Sequence, residues 1–443
     1  MKRSILFFTL TVLLSLAGSG RLFSQQIWSL TRCIDYAIEN NIQIKQQEIA
    51  VEQGENTLLQ SKLNLLPSVN ASVGHNLNWG KSVNIQDLKI SNNLTQSTSA
   101  NISASLSIFN GFSKLNEVKS SKYDYMIAEE GLENLKNDIT LQITRAYLQV
   151  LLSMEIEKSA NENLKSVEEQ VERTKKLVEV GNQAYSTLTD MLAQLASEKV
   201  QAVSASNNVR TNYLTLTQLL DLPGSEEFAV SDAVPSDSLA MEGYSVESVY
   251  STALSLPVIK SAELALEKSK IDYKIQKGSA YPTISLSAGY GTYFSDGVNG
   301  AFFSQFNDNR NPSMSFSLSI PIFNGWRTNT SIRNSKLNIK NAEFTLQKSK
   351  RDLYKEIQLA YNEAVNAYTQ YNAAYQNLTA AKESFSNTEN KFNVGVLNGT
   401  DYIVAKNNLF KASSDFYQSK YQFLFQIKIL DFYKGAAITL SMQ

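Results

Sequence analysis

Residues 107–111 read Ser-Ile-Phe-Asn-Gly, and 214 positions later residues 321–325 read Pro-Ile-Phe-Asn-Gly. The same displacement carries Ala146-Tyr147 onto Ala360-Tyr361, Val180-Gly181 onto Val394-Gly395 and Leu195 onto Leu409. Upstream the register drifts slightly: Leu66-Pro67 maps onto Tyr281-Pro282 at 215, and Ser29-Leu30 onto Ser245-Val246 at 216. Several anchors in one register mark a duplicated unit. The 443 residues therefore hold two copies of one structure, where length alone suggests two or three unrelated domains.

Before each pentapeptide the sequence alternates with period two. In 68–80 the residues Val69, Ala71, Val73, His75, Leu77 and Trp79 share one face, and Asn and Ser dominate the other. In 98–109 the apolar face is Ala100, Ile102, Ala104, Leu106 and Ile108; in 283–294 it is Ile284, Leu286, Ala288 and Tyr290; in 312–323 it is Met314, Phe316, Leu318 and Ile320. The alternation predicts four strands, each with a dry and a wet face. The intervening segments, 81–97 and 295–312, read as long loops.

Charge decides what the dry face meets. The four segments contain no Asp, Glu, Lys or Arg, although a 19% charged composition would place about nine there. A sheet on a soluble core keeps charges on its wet side. A lipid-facing strand excludes Lys or Arg at about 2–4 kcal/mol each at mid-bilayer, and Ser and Asn suit a water-filled lumen. The lengths fit tilted spans of about 9–11 residues. Trp79, Tyr290, Tyr293 and Phe294 are expected in an interfacial aromatic belt. Four strands cannot close a barrel, and lipid tolerates no open edge, so several chains must share one. Barrels start at about eight strands; a dimer and a trimer both satisfy that, and the spacing does not choose between them.

After each pentapeptide come rods. No proline lies between Ser113 and Leu222 or beyond Pro321, so 113–180 and 327–394 are free to run as helices of about 100 Å at ~1.5 Å per residue. Apolar or small residues recur in alternating steps of four and three: Leu353, Ile357, Ala360, Ala364, Ala367 and on to Phe392, with Ile139, Ile143, Ala146, Val150, Ser153 and on to Val178 in the first copy. A 3.5-residue period is a coiled-coil seam. Segments 41–66 with 185–220, and 257–281 with 400–433, supply pairs of shorter helices to lie along each rod. The repeats are 26–221 and 246–434. An irregular linker, 222–245, separates them, and 435–443 is a short tail.

The N-terminus pairs Lys2-Arg3 with an apolar run from Ile5 to Leu16 and a small-residue exit, the pattern of an export signal over about residues 1–25. Cys33 follows Arg32 and so does not fit a lipid-attachment site; a half-buried helix position is expected. No later stretch reaches the ~18 apolar residues of a membrane helix.

Composition removes other classes. Lys+Arg 41 against Asp+Glu 42 offers no basic field for nucleic acid. One cysteine and one histidine build no metal cluster. Carboxylate pairs such as Glu129-Glu130 and Glu168-Glu169 read as solvated helix faces. No enzyme, cofactor or metal is expected.

The duplicated helix-strand-strand-helix-helix copies, the Pro-Ile-Phe-Asn-Gly junction and the Val-Gly turns resemble the TolC-like outer-membrane efflux proteins, over about Trp28 to Lys434. The resemblance implies a mainly α fold with a membrane β-barrel. It implies a homotrimer, with a shared 12-stranded barrel in outer-membrane lipid and a 12-helix tunnel in the periplasm. The tunnel docks on a periplasmic adaptor and an inner-membrane pump, as a passive exit duct for tripartite efflux or type I secretion. Val180-Gly181 and Val394-Gly395 match the family's adaptor-contacting tip turns; a glycine helix cap explains them too. Asp401, six residues after Gly395, matches an aspartate ring of the family's periplasmic constriction, and Asp190, nine after Gly181, is a weaker match. Three converging carboxylates raise one another's pKa and attract cations, whereas an acid near a helix N-terminus is also favourable by itself. Phe392 and Leu397 stand where family members carry a Tyr and an Arg that lock the tip, so Phe392 is expected as an apolar plug or as seam packing. A secreted or periplasmic structural or adhesive coiled coil is the competing reading; it explains the heptads but not the uncharged strands.

Overall fold

The computed structural model describes residues 26–83, 90–223, 228–231, 241 and 243–440; the expected export signal lies outside them. In chain order the elements are β1 (Gln26–Trp28), α1 (Leu30–Asn40), α2 (Ile42–Leu63), β2 (Ser68–Val83), β3 (Ile90–Asn110), α3 (Ser113–Glu179), α4 (Tyr185–Leu219) and β4 (Phe228–Val230). The second half continues with α5 (Val246–Ala253), α6 (Pro257–Gly278), β5 (Thr283–Ser295), α7 (Phe302–Asp308), β6 (Asn311–Ser319), α8 (Arg327–Asn393) and α9 (Gly399–Tyr433). The rods α3 and α8 have 67 residues each, and the helices that follow them, α4 and α9, have 35 each.

Two compact units share these elements. One comprises Gln43–Lys136 and Tyr250–Glu356; the other comprises Asn137–Val249, Ile357–Gln443 and the chain up to Ile42. In the second unit the heptad pattern is realised as helix packing. Ile143, Val150, Ile357 and Ala364 are wholly buried, and the alanines of α8 let α9 approach, so that Ala360 and Ala364 cluster with Leu430. Large rings of α9 fill the wider gaps, Phe423 lying 5.2 Å from Tyr368 and Phe416 5.7 Å from Tyr371.

The same unit holds an element absent from the sequence reading. The expected irregular linker 222–245 carries β4, which pairs in parallel with β1, Gln26 opposite Phe228 and Trp28 opposite Val230. Tyr147 of α3, 1% exposed, anchors this pair: its hydroxyl lies 3.0 Å from the Trp28 carbonyl and 3.2 Å from that of Ser231, and accepts the Ser231 N–H at 3.1 Å. Removing one partner of buried hydrogen bonds costs about 1–3 kcal/mol, so Tyr147→Phe is expected to lower the unfolding free energy by about that much in a denaturant titration.

Helix α1 starts at the N-cap Ser29, whose Oγ accepts the Arg32 N–H at 3.2 Å. Its inward stripe is Leu30, Cys33, Ile34 and Ala37, one helix face by spacing. Cys33 is wholly buried and not half-buried as expected, and burial pushes its thiol up to about 12.

In the other unit the strands form one antiparallel sheet in the order β2-β3-β5-β6. β2 and β3 run further than the expected 68–80 and 98–109, to Val83 and from Ile90, so most of the expected loop 81–97 is paired strand; residues 84–89 lie outside the described residues. β6 stops at Ser319, short of the expected 323. The second expected loop, 295–312, contains α7. Its Gln305 is buried and holds the connection with its side-chain amide: Nε2 donates to the carbonyls of Ser295, Val298 and Gly300, and Oε1 accepts the Ser295 N–H. Strand turns into rod through two successive left-handed residues in each copy, Gly111 (φ 62) and Phe112 (φ 63), then Gly325 (φ 64) and Trp326 (φ 67). Only glycine adopts that conformation at little cost.

Candidate functional site

The sheet register sorts its side chains into continuous rows. On one face Leu106, Leu286 and Phe316 stand side by side, as do Val69, Ala104, Ala288 and Met314, and then Ala71, Ile102, Tyr290 and Pro312. Val73 with Ala100, His75 with Thr98 and Phe294, and Trp79 with Leu94 extend this face. The opposite face carries Ser68, Ser105, Ser287 and Ser315, then Asn70, Ser103, Gly289 and Ser313. Among the described residues nothing covers the apolar face: Val73 is 78% exposed, Trp79 74% and Phe316 68%. The outer edges of β2 and β6 have no partner strand among the described residues. Lys81 is the one charged residue in the four strands, two residues beyond Trp79 toward the strand end.

Two assignments change. Tyr293 pairs with Ser99, which pairs with Gly74, so it stands on the polar face, opposite Tyr290 and Phe294. It cannot join an outward belt with Trp79, because side chains alternate across a strand with period two. A bulge between Ser107 and Phe109 sets Phe109, in place of Ile108, opposite Ile284. His75 sits on the sheet with Nδ1 2.8 Å from Thr98 Oγ1; a cross-strand hydrogen bond is its whole observed chemistry.

The second constellation is where each rod turns back. Gly181 (φ 77) and Gly395 (φ 76) are left-handed. Asn182 N–H donates to Leu177 O at 2.8 Å and Gly181 N–H to Val178 O at 3.0 Å; Val396 N–H to Lys391 O at 2.9 Å and Gly395 N–H to Phe392 O at 3.0 Å repeat the pattern. Both are Schellman caps. Neither glycine has any atom within 4 Å of where a Cβ would stand, and Val180, Val394 and Val396 are exposed. The caps thus display apolar side chains around bare backbone.

Beyond the second turn Asn398 caps α9, its Oδ1 accepting the Asp401 N–H at 2.9 Å. Asp401 is exposed in the first helical turn, where the helix dipole favours an acid by about 0.3–1 kcal/mol. Asp190 is exposed on α4, and Thr187 at the position corresponding to Asp401 lies against Gly399. Phe392 is 4% exposed in a cluster with Val167, Val171, Met191 and Tyr402, its ring 4.9 Å from that of Tyr402. That burial supports seam packing over a plug.

Sequence reasoning missed the polar groups buried beside this cluster. Glu198 accepts from Asn163 Nδ2 and Gln194 Nε2, each at 2.6 Å. Lys406, four residues after Tyr402 on the same helix face, is 6% exposed, bonded to Ser166 Oγ, with Nζ 5.5 Å from the Phe385 ring. Desolvation holds its pKa below the ordinary 10.5, against the opposing pull of Glu389, Glu198 and Glu169. Because the folded state binds this proton less tightly than the unfolded chain, the lysine destabilises the fold while both states are charged. That penalty shrinks as pH rises through the depressed value toward 10.5. Lys406→Met is expected to raise the thermal midpoint at pH 7 and flatten its rise with pH; a lowered midpoint contradicts this.

Among the described residues no helix is long and apolar enough to cross a membrane, and no group of three or more His, Cys, Asp or Glu is placed to hold a metal ion.

A sequence model described as "Outer membrane efflux protein" matches residues 33–221 and 249–431, one segment in each copy. Outer membrane efflux protein BepC of Brucella suis is 24% identical over 310 residues, 70% of this chain and 63% of that protein; this chain therefore spans less than two thirds of that relative. Outer membrane protein TolC of Vibrio cholerae is 22% identical over 331 residues, 71% of this chain and 69% of that one. The crystal structure of the Campylobacter jejuni CmeC outer membrane channel superposes with a TM-score of 0.77, covering 96% of this chain and 92% of CmeC at 18% identity.

Proposed function

The chain belongs to the outer membrane efflux protein family, and we propose that its work is carriage across the outer membrane, by three copies that form one passive exit duct. The observation that carries this is the bare apolar face of an open-edged sheet with a single terminal charge. Three four-stranded sheets joined β6 to β2 make a closed barrel of twelve strands, which satisfies every backbone edge and gives the apolar rows to lipid. The Ser and Asn rows then line water. The rods and their paired helices, α3 with α4 and α8 with α9, wall a periplasmic passage.

The two Schellman turns are the docking points for a periplasmic adaptor, through Val180-Gly181 and Val394-Gly395, and the adaptor links the duct to an inner-membrane pump. Asp401 lines the constriction, with Asp190 as a second acid. Their exposure on α9 and α4 leaves both carboxylates free to face an axis. Polar groups in the neighbouring cluster make this end of the seam easier to part than one packed with aliphatic side chains alone.

Reconstitution in planar bilayers tests the reading: discrete ion-conducting steps support it, and a protein that never inserts rejects it. In the same assay Asp401→Ala is expected to raise single-channel conductance or weaken divalent-cation block. Unchanged conductance together with unchanged block removes Asp401 from the constriction.

A further inference from the structure

β5 outlasts its partner on one side. β6 begins at Asn311, opposite Gly291, and residues 292–295 of β5 continue beyond it. There α7 packs against β5 in place of a strand, and side-chain amides meet backbone groups that a ladder would have met. Asn309 Nδ2 donates to Tyr293 O at 2.8 Å, and Gln305 holds both the N–H and the carbonyl of Ser295 at 3.0 Å. The first copy is built otherwise. Its hairpin carries paired strand as far as Val83 and Ile90, so among the described residues only the second copy has such a helix.

The parity of β5 shows which face α7 has taken. Thr292 stands opposite Ala100 and Phe294 opposite Thr98, both on the apolar face. Thr292 Oγ1 donates to Phe306 O at 2.6 Å, and the Phe294 ring lies 5.0 Å from that of Phe302. Phe302 stacks on Phe306 at 4.6 Å and meets Phe303 edge-on at 5.4 Å. At ~3.6 residues per turn the three phenylalanines span an arc of about 100°. Ser304 and Asp308 occupy the opposite side, where Ser304 Oγ donates to Asp308 Oδ2 at 3.2 Å. The arc carries no charge, and Phe303 at its end is 85% exposed.

We propose that α7 is a membrane anchor outside the strands: it lies along the lipid boundary at the end of the barrel remote from the rods, with Phe302 and Phe303 among acyl chains and Ser304 and Asp308 toward headgroups and water. The inference rests on the lipid-facing reading of the sheet and adds an element that the strands alone do not supply. An amphipathic helix of this kind beds its apolar face about 5–10 Å into the boundary between headgroups and chains. Lipid is the occupant that fits, because the arc continues the apolar face of Tyr290 and Phe294 beyond the last residue of β6 on that side. The amide bonds to Tyr293 and Ser295 agree with it, since backbone withdrawn from water has to be paired within the protein.

Spin labels test this in the full chain reconstituted in vesicles of phosphatidylcholine and phosphatidylglycerol; Cys33, the only native cysteine, is wholly buried and stays in place. Labels go on Phe303→Cys, on Phe316→Cys in the apolar face of the sheet and on Ser103→Cys in its polar face, three exposed positions. Each label is then relaxed by molecular oxygen, which concentrates in acyl chains, and by a water-soluble nickel chelate. The ratio of oxygen to nickel accessibility is expected to be several-fold higher at 303 and 316 than at 103. A label at 303 that behaves like the one at 103, while 316 keeps the lipid pattern, overturns the anchor and spares the barrel. A label at 303 shielded from both reagents means that protein, a second copy, covers the arc, and this too overturns the anchor. The water pattern at 303 and 316 together overturns both readings.

Discussion

Ile102→Arg is expected to abolish assembly in the outer membrane, while Ser103→Arg, its immediate neighbour, leaves assembly intact and shifts ion selectivity toward anions. Ile102 lies in the middle of an apolar row between Ala71 and Tyr290 and is 54% exposed. A guanidinium there faces lipid at a cost of about 2–4 kcal/mol near the midplane. Three copies of the substitution multiply that to about 6–12 kcal/mol, comparable to the stability of a whole domain. Ser103 points the other way, beside Asn70 and Gly289, where glycine leaves room and water solvates the charge. Membrane fractionation and bilayer reversal potentials read the two outcomes. Equal tolerance of arginine at both positions contradicts a lipid-facing sheet.

The second large effect is expected at the tip. Gly395→Asn is expected to keep the fold and assembly but sharply reduce export, and Gly181→Asn to act likewise. Asparagine tolerates the left-handed backbone that both positions adopt, and no atom lies within 4 Å to clash, so both Schellman caps persist. What changes is the surface, since an amide now stands beside Val394 and Val396 in one turn and beside Val180 in the other. Gly395→Val differs: a β-branched residue at φ 76 strains the cap by about 1–2 kcal/mol. Normal export by Gly395→Asn alongside defective export by Gly395→Val assigns the glycine to capping alone. Loss in both assigns it to docking.

Periodicity made the helices and strands legible, and its end points hid their limits. The charge-free alternation around Ile102 and Leu286 located the sheet, but β3 begins at Ile90, and between Ser91 and Ser97 the positions on its apolar face are Asn92, Leu94 and Gln96, two of the three polar. A strand past the apolar band carries no period-two signal. β1 and β4 have three residues each, too few for any period, and their pairing depends on a tyrosine more than a hundred residues from one strand and over eighty from the other. Tyr293 lies three residues from Tyr290, and that odd separation places it on the other face. α7 was hidden because Gln305, which organises it, looks like any loop glutamine until its amide meets three carbonyls.

At the tip the sequence displayed Gly181, Gly395 and Asp401, because turns and first-turn acids leave local signatures. Lys406 and Glu198 left none. Their burial follows from four helices converging, and a lysine on a seam is indistinguishable in sequence from a lysine on a solvated face. Phe392 shows the converse, since an aromatic at a heptad position already carried its packing role in the spacing.

The native mass of the detergent-solubilised protein tests the central claim most directly. Twelve strands closed from three four-stranded sheets require three chains per particle, stable only while a micelle covers Val73, Trp79 and Phe316. A particle of one chain that stays soluble without detergent contradicts it.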